Sequence, residues 1–560
     1  MTLRIGFLLV LGLLYAAGMK LAAMQAPGWI IAALMGAVFI ALVAAMYLRV
    51  LPALLALPVL AIALASIAGM HWQTIFTTVV QDGSVRLSKW IIAAIMGSVL
   101  AQVVEKTGIA QTAVKKTAEL GGDKPMVLAV LLTIVIALLF TTLGGLGAVI
   151  MVATIVIPIL LSLGLRPLYV GCLFLLAMSL GGAFNLVNWQ AYQDTLGMKQ
   201  DQIIGFALPF AGLMLIVTFI FLAIEGKRMG KARYKAEIQD TPAHPFVPWY
   251  ALLTPLIPLI PVLAFALLPK LDPTPLIKVD NPHNPQVRGI RLIQKESGVL
   301  TDQLMRVGDR LRLKAGSYEV EPFALSMPLQ KAKPLVVELK PQTVTTISVI
   351  PDKSAGVPPL VKADTQDPYE FPIVVALLLG ILYGAITTWR SGVSTVQLLT
   401  KSAFDGVSAV GPALVLLIGI GMVLNATMSA EVSGVISPVL ARIVPHASSG
   451  TPAMLQYIVL FTILSPLALY RGPMNLYGMG AGLIGALKGL MPAGALMAAF
   501  TATGMIQGVC DPTNTHNVWI ATYTNTDVQD ILKRTLPYMW ALSVLGLILG
   551  AVLYYGGVIK

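Results

Sequence analysis

The residues best suited to grip a polar solute lie inside long apolar runs. Arg471 interrupts one such run and is followed by Gly472-Pro473-Met474-Asn475. A guanidinium there can hold a carboxylate through two parallel hydrogen bonds. An Arg at the centre of a lipid-embedded helix costs roughly 2.5–3.5 kcal/mol, so its presence marks either a binding site or a fixed pair. The fixed alternatives are a side chain that snorkels to an interface and one paired with Asp511. Asp511 opens a second interruption, Cys510-Asp511-Pro512-Thr513-Asn514-Thr515-His516-Asn517. Its carboxylate suits three roles, which the sequence leaves open: coordinating a coupling cation, carrying a proton, or neutralising Arg471. Thr515 and His516 complete this coupling-ion set, His516 being either a proton carrier or a structural hydrogen-bonder beside Asn and Thr.

Two further interruptions lie in the first half of the chain. Thr141-Thr142-Leu143-Gly144-Gly145-Leu146-Gly147 places hydroxyls next to glycines, which let backbone amides and carbonyls approach a ligand closely. A half-helix starting after such a break presents its positive end to anions. The plainer reading is that the glycines serve tight helix packing. The run is not a phosphate-binding loop, because no Gly-Lys-Ser/Thr follows. The other interruption, Gly181 to Gln190, brings Asn185, Asn188, Trp189 and Gln190 together. Thr513, Asn514, Thr515 and Asn517 form the matching polar set. Amides and hydroxyls suit hydroxylated carboxylates or Na⁺, and equally they satisfy unwound backbone. The candidate substrate set is therefore Thr141, Thr142, Gly144, Gly145, Asn185, Asn188, Arg471, Asn475, Thr513 and Asn514.

The elements that position these residues follow from composition. The 560 residues are 57% hydrophobic and 11% charged, against about 25% charged in a soluble domain. The apolar residues gather into runs of bilayer-spanning length without period-two alternation, which excludes a membrane β-barrel. The net charge of +12 fits Lys and Arg collected on cytoplasmic loops, and no nucleic-acid partner is expected. Cys172 and Cys510 both lie in apolar segments, so neither a disulfide framework nor a zinc site is indicated. Residues 1–28 read as an extra N-terminal helix rather than a signal peptide, since no clean A-x-A site follows.

Runs 126–163 and 453–490 are too long for one crossing and read as re-entrant hairpins. Lys106, Lys115, Lys116 and Lys124, with Lys227, Arg228, Lys231, Arg233 and Lys235, place 105–124 and the linker 225–248 in the cytoplasm. The N-terminus is then cytoplasmic and 269–370 external, in the periplasm of a Gram-negative cell. Residues 29–224 read as helix, helix, helix, amphipathic stretch, hairpin, broken helix, helix. The order repeats in 249–268 plus 371–560 with inverted topology, the plan of many secondary transporters. The insert 269–370 is richer in Pro and charge, with strand-like runs at Arg310–Leu313, Tyr318–Pro322, Pro334–Lys340 and Thr343–Ile350. It reads as a small antiparallel β domain.

These residues resemble a known family. Leu87–Arg228 looks like the first half of the citrate–metal/proton symporters of the ion transporter superfamily, of which gluconate permeases are relatives. The likeness rests on the Thr141–Gly147 tip, Ile157-Pro158-Ile159-Leu160-Leu161-Ser162-Leu163-Gly164-Leu165-Arg166-Pro167-Leu168, the break at Gly181-Gly182, Leu196-Gly197-Met198 and Phe206-Ala207-Leu208-Pro209. Ser408–Leu553 is similar more loosely. The resemblance implies an elevator mechanism in a homodimer, with a site at Thr141, Thr142, Gly145, Asn188, Arg471, Asn475, Asp511, Thr513 and Asn514. A carrier of metal–citrate is expected to place carboxylates near the metal. The first tip has none, so Arg471 directs the expectation to a free organic anion.

The expected fold is an all-α polytopic inner-membrane protein: inverted repeats with two hairpins and two broken helices, of elevator type, plus an external β-rich insert. The expected function is symport of a small organic anion, a di- or tricarboxylate or sugar acid, driven by H⁺ or Na⁺. No other cofactor and no catalytic residue are expected. The alternative is a membrane platform that recruits an envelope partner through the β insert.

Overall fold

The computed structural model describes residues 2–47, 50–122, 124–229, 247–271, 274–280, 289–296, 299–324, 327–328, 335–339, 343–350, 360–366, 370–389, 394–445 and 450–556. Among these, eight helices are long and apolar enough to cross a bilayer. The pair Pro167–Gly182 and Leu186–Leu196, bent by 52°, is a ninth when taken as one broken span. The chain is an all-α polytopic membrane protein carrying one strand-rich unit. It divides into a helical unit, Met1–Pro261 with Pro372–Lys560, and a second unit, Val262–Phe371.

The described helices fall into two series of similar order. After Thr2–Ala23, the first copy runs Gly28–Tyr47, Ala53–Ile67, Trp72–Lys106, Ile109–Gly121, the hairpin Pro125–Phe140 and Gly145–Ser162, the broken pair, and Gln200–Met229. The second runs Leu259–Leu271, Ile373–Thr387, Thr395–Met428, Ala430–Leu440, the hairpin Thr451–Leu464 and Gly480–Leu487, the broken pair Ala493–Cys510 and Thr515–Tyr523, and Val528–Tyr554. The third helix of each copy is longer than its apolar run at 90–104 or 411–426. Polar stretches such as Gln81-Asp82-Gly83-Ser84 and Lys401-Ser402-Ala403-Phe404-Asp405 hide the early turns from a hydropathy reading. Of the linker 225–248, Lys227 and Arg228 close the helix ending at Met229, and Lys231, Arg233 and Lys235 lie outside the described residues.

The two long third helices cross where glycine removes the side chain. A Cβ on Gly83 would meet the backbone of Gly421 and Met422, and one on Gly406 would meet the backbone of Val99. Close backbone approach of this kind is how membrane helices gain packing without a hydrophobic drive. Position 83 faces 421 while 99 faces 406, so the helices run antiparallel, as inverted copies must. The Asp-Gly dipeptides 82–83 and 405–406 occupy matching places at the two crossing points. Ser98 donates to the Gly406 carbonyl at 2.9 Å, and Lys106 pairs with Asp405 at 2.5 Å. Residues Ile75–Asp82 are wound as a π-helix, and the Asn425 amide donates to the Thr78 carbonyl at 2.7 Å within it.

The last helices of the two copies are also antiparallel. Phe210 packs where a Cβ on Gly546 would sit, and Glu225 meets Arg534 at 3.1 Å. Glu225 is buried yet receives Arg228 at 3.2 Å and the Tyr538 hydroxyl at 2.9 Å. A carboxylate so enclosed is tolerable only with such partners.

Among its described residues the second unit holds nine strands: β1 (Leu276–Asp280), β2 (Gly289–Glu296), β3 (Val299–Arg306), β4 (Arg310–Arg312), β5 (Gly316–Ala324), β6 (Met327–Pro328), β7 (Leu335–Leu339), β8 (Val344–Ile350) and β9 (Leu360–Gln366). One sheet has the order β4-β1-β8-β9, and the other β3-β2-β5-β6 with β7 also paired to β5. Alternate residues such as Ile277, Ile290, Leu292, Val320 and Ile347 form one shared core. The expectation of purely antiparallel pairing fails at β1 and β8, which are parallel with Ile277 opposite Thr345.

Candidate functional site

Each helix break is held open by one asparagine doing the work of several backbone groups. At the first break, Asn185 caps Leu186–Leu196 by accepting from the amides of Val187 at 3.0 Å and Asn188 at 3.4 Å. Its amide donates to the carbonyls of Phe140 and Leu143, each at 3.1 Å. Those carbonyls belong to the first hairpin tip, where helical bonding has stopped. The Leu186 amide adds a bond to the Thr141 carbonyl at 3.3 Å. Hairpin tip and broken helix are thus one hydrogen-bonded piece.

The second break repeats the cap without the bond to a hairpin tip. Asn514 caps Thr515–Tyr523 by accepting from the His516 amide at 3.1 Å, and its own amide reaches the Gln507 carbonyl at 3.5 Å. At one constant offset in numbering, Asn185 matches Asn514, Asn188 matches Asn517, Gly182 matches Asp511 and Ser179 matches Gly508. The bonds obey the same offset. Asn188 donates to the Gly182 carbonyl at 3.2 Å, and Asn517 donates to the Asp511 carbonyl at 2.9 Å. An Asn-x-x-Asn pair therefore builds both breaks.

The breaks also converge. A Cβ on Gly508 would lie 3.3 Å from the Ser179 hydroxyl oxygen, which is hydrogen-bonded to the Met505 sulfur at 3.2 Å. Ser179 and Gly508 are equivalent positions in contact, so the local two-fold axis passes between them. Each break starts within one helical turn of that contact. The second hairpin joins through Tyr477, whose hydroxyl donates to the Asn188 side-chain oxygen and whose ring packs edge-on to Trp90 with centroids 5.2 Å apart.

The individual candidates are placed as follows. The Thr141 hydroxyl donates to the Leu138 carbonyl at 2.7 Å and that of Thr142 to the Pro255 carbonyl at 2.8 Å, both residues being buried. Gly144 is extended, while Gly145 is exposed and left-handed at φ +83°, a conformation that favours glycine. Asn475 is buried, its oxygen accepting from the Tyr477 amide at 2.9 Å. Arg471 ends the turn Ser465–Arg471, and its side chain lies outside the described residues. Next to it, Tyr470 is left-handed at φ 56°, a strained state for a residue with a bulky side chain.

Asp511 is fully buried and accepts from both the amide and the hydroxyl of Thr513, at 2.8 and 2.7 Å. Thr515 is exposed and His516 partly so. Trp189 donates to the Ala183 carbonyl at 3.0 Å, and Gln190 to Asp194 at 2.9 Å. The second asparagines of the two pairs differ in their oxygens: Tyr477 occupies the Asn188 oxygen, whereas the buried Asn517 oxygen has no hydrogen-bond partner among the described residues. Sequence reading missed Tyr477, which sits in a run that looks merely apolar. The repeated Asn-x-x-Asn spacing was the available signal for the caps.

No protein-family model matches the chain, and no curated protein matches it. Among solved structures it is similar to the crystal structure of the Alcanivorax borkumensis YdaH transporter, with 14% sequence identity and a TM-score of 0.47. That match covers 86% of this chain and 88% of the other.

Proposed function

We propose that the protein is a secondary transporter that moves a small organic anion, a di- or tricarboxylate or sugar acid, together with H⁺ or Na⁺. The observation that carries the reading is the meeting of two broken helices at their local two-fold axis, each break held by its own asparagine. Unwound backbone at membrane depth persists where protein or a water-filled cavity satisfies it, and paired interruptions of this kind mark the solute sites of inverted-repeat transporters. A scaffold or platform gains nothing from them.

In this reading Arg471 grips a carboxylate of the solute, and Asn188, Thr513 and Asn475 supply further polar contacts to the solute. Asp511 and the unpartnered Asn517 oxygen supply hard oxygen ligands suited to a coupling cation. Alternating access follows from movement of the hairpins and broken helices as one body against the crossed long helices, in an elevator-like homodimer. The welding of the first tip to the first break by Asn185 supports movement as one body. Binding shifts the balance between two states of similar free energy.

The test is thermal stabilisation of the purified protein by citrate, succinate, gluconate, glutamate and glucose, with and without Na⁺, repeated on Arg471→Ala. A ligand that binds the native state raises the unfolding midpoint by mass action. Stabilisation by one carboxylate class, absent from a folded Arg471→Ala, is the expected result. A shift that survives the substitution, or one seen only with glucose, contradicts it.

A further inference from the structure

We infer that Arg86 and Lys488 form an anion-recognition pair that takes a carboxylate of the transported solute. The inference rests on the organic-anion reading above but does not use Arg471.

Arg86 lies in the membrane-spanning segment Trp72–Lys106 and is only partly exposed. Its guanidinium donates to the neutral Asn425 oxygen at 2.6 Å and to the Met428 sulfur, a weak acceptor, at 3.3 Å. Its Nε is buried with no hydrogen-bond partner, and among the described residues no carboxylate lies within ion-pairing distance of it. A charge held inside a membrane protein without a directly bonded counter-charge is costly, and such residues mark solute paths.

The second cation is close by. Lys488 donates to the Thr195 carbonyl at 3.1 Å, again a neutral partner, and the adjoining Asp194 accepts from the amide of Trp90, one turn along from Arg86. Asp194 is an acid within electrostatic reach of Arg86. Both of its oxygens are engaged, one by the Trp90 amide and the other by Gln190, each at 2.9 Å. Lys89 adds a further positive charge beside it. The cluster is therefore net positive, with two cations whose good acceptors are all neutral.

Depth places the pair near the proposed site. The crossing points at Gly83 and Val99 are equivalent under the inverted repeat, so the local axis passes about midway, near Ile91. That axis lies in the membrane plane, and Arg86 is then only about 8 Å of helix from the midplane at ~1.5 Å per residue. One turn further along, the Trp90 ring packs on Tyr477, whose hydroxyl reaches Asn188 at the first break.

The two cations stand on different elements. Arg86 is on a crossed long helix, and Lys488 closes the helix Gly480–Leu487. An anion between them relieves their repulsion and favours the arrangement in which they face each other. This is a differential contact of the kind that lets a ligand bias a conformational equilibrium.

The test titrates full-length protein with citrate, succinate and gluconate, using glucose as the neutral probe. Arg86→Met and Lys488→Met are each expected to raise Kd for the bound carboxylate by about ten- to a hundredfold, the loss typical of a charge-assisted contact. Arg86→Lys should recover part of the affinity. Without ligand, Arg86→Met should unfold no earlier than wild type, because an unpaired charge has been removed. Should Arg86→Met fail to fold, Lys488→Met, at a turn, decides alone. Unchanged Kd in both Met variants, with binding abolished by Arg471→Ala, overturns the pair and leaves the anion reading standing. Absence of carboxylate binding by wild type removes both.

Discussion

Replacing Asn185 by Asp tests the construction of the breaks with almost no change in shape. The substitution keeps the oxygen that caps Val187 and Asn188, and the negative charge improves that cap by up to about 1 kcal/mol. It also removes the amide that serves the Phe140 and Leu143 carbonyls, both at 3.1 Å, and turns a carboxylate oxygen toward them. Each buried carbonyl left without a donor costs about 1–3 kcal/mol. The net loss is then about 1–5 kcal/mol, and larger if the carboxylate stays ionised against two carbonyl oxygens. The assay is unfolding in mixed micelles, read beside the reactivity of a cysteine placed at Leu143. The variant should unfold earlier and expose the first tip. Stability within about 0.5 kcal/mol of wild type, the usual scatter of a neutral surface change, would refute the claim that Asn185 welds tip to break.

Three further outcomes follow from particular contacts. Gly181→Ala sets a Cβ against the Ala137 carbonyl and Phe140 and should cost about 1–3 kcal/mol through forced separation of the two helices; unchanged stability would show that they give way freely. Gly145→Ala places a side chain at φ +83° and Tyr470→Gly removes one from φ 56°, so the first should destabilise and the second stabilise by about 1–2 kcal/mol. Equal signs for the pair in the same unfolding assay would contradict the strain argument. With Cys172 and Cys510 replaced, Ser179→Cys and Gly508→Cys should cross-link under mild oxidation, because a Cβ at 508 already lies 3.3 Å from the Ser179 oxygen. A gel that shows no cross-link would separate the two breaks.

Much of this architecture was legible in the residues. The breaks at Gly181–Gln190 and Cys510–Asn517 and the over-long runs 126–163 and 453–490 stand out because polar and glycine residues interrupt otherwise apolar segments. The repeat follows from their order. The early turns of the two long helices were hidden, because a helix that packs against protein need not be apolar on every side. For the same reason Arg86 escaped notice, four residues before the apolar run that begins at Trp90. The asparagines at the breaks read equally well as ligands or as backbone caps, since an amide serves either purpose. The hydrogen bonds assign Asn185 and Asn514 a capping role, while Asn188 is shared between Gly182 and Tyr477. The parallel pairing of β1 with β8 joins strands far apart in sequence, and such pairing leaves no local turn signal.

The most direct test of the account is uptake by the purified protein in proteoliposomes. Radiolabelled citrate, succinate and gluconate are supplied under an imposed proton gradient or an imposed Na⁺ gradient. One of these anions should accumulate above its external concentration with one of the two gradients, and Arg471→Ala should abolish the accumulation. Failure of all three to accumulate under either gradient, by protein that is folded and inserted, would contradict it.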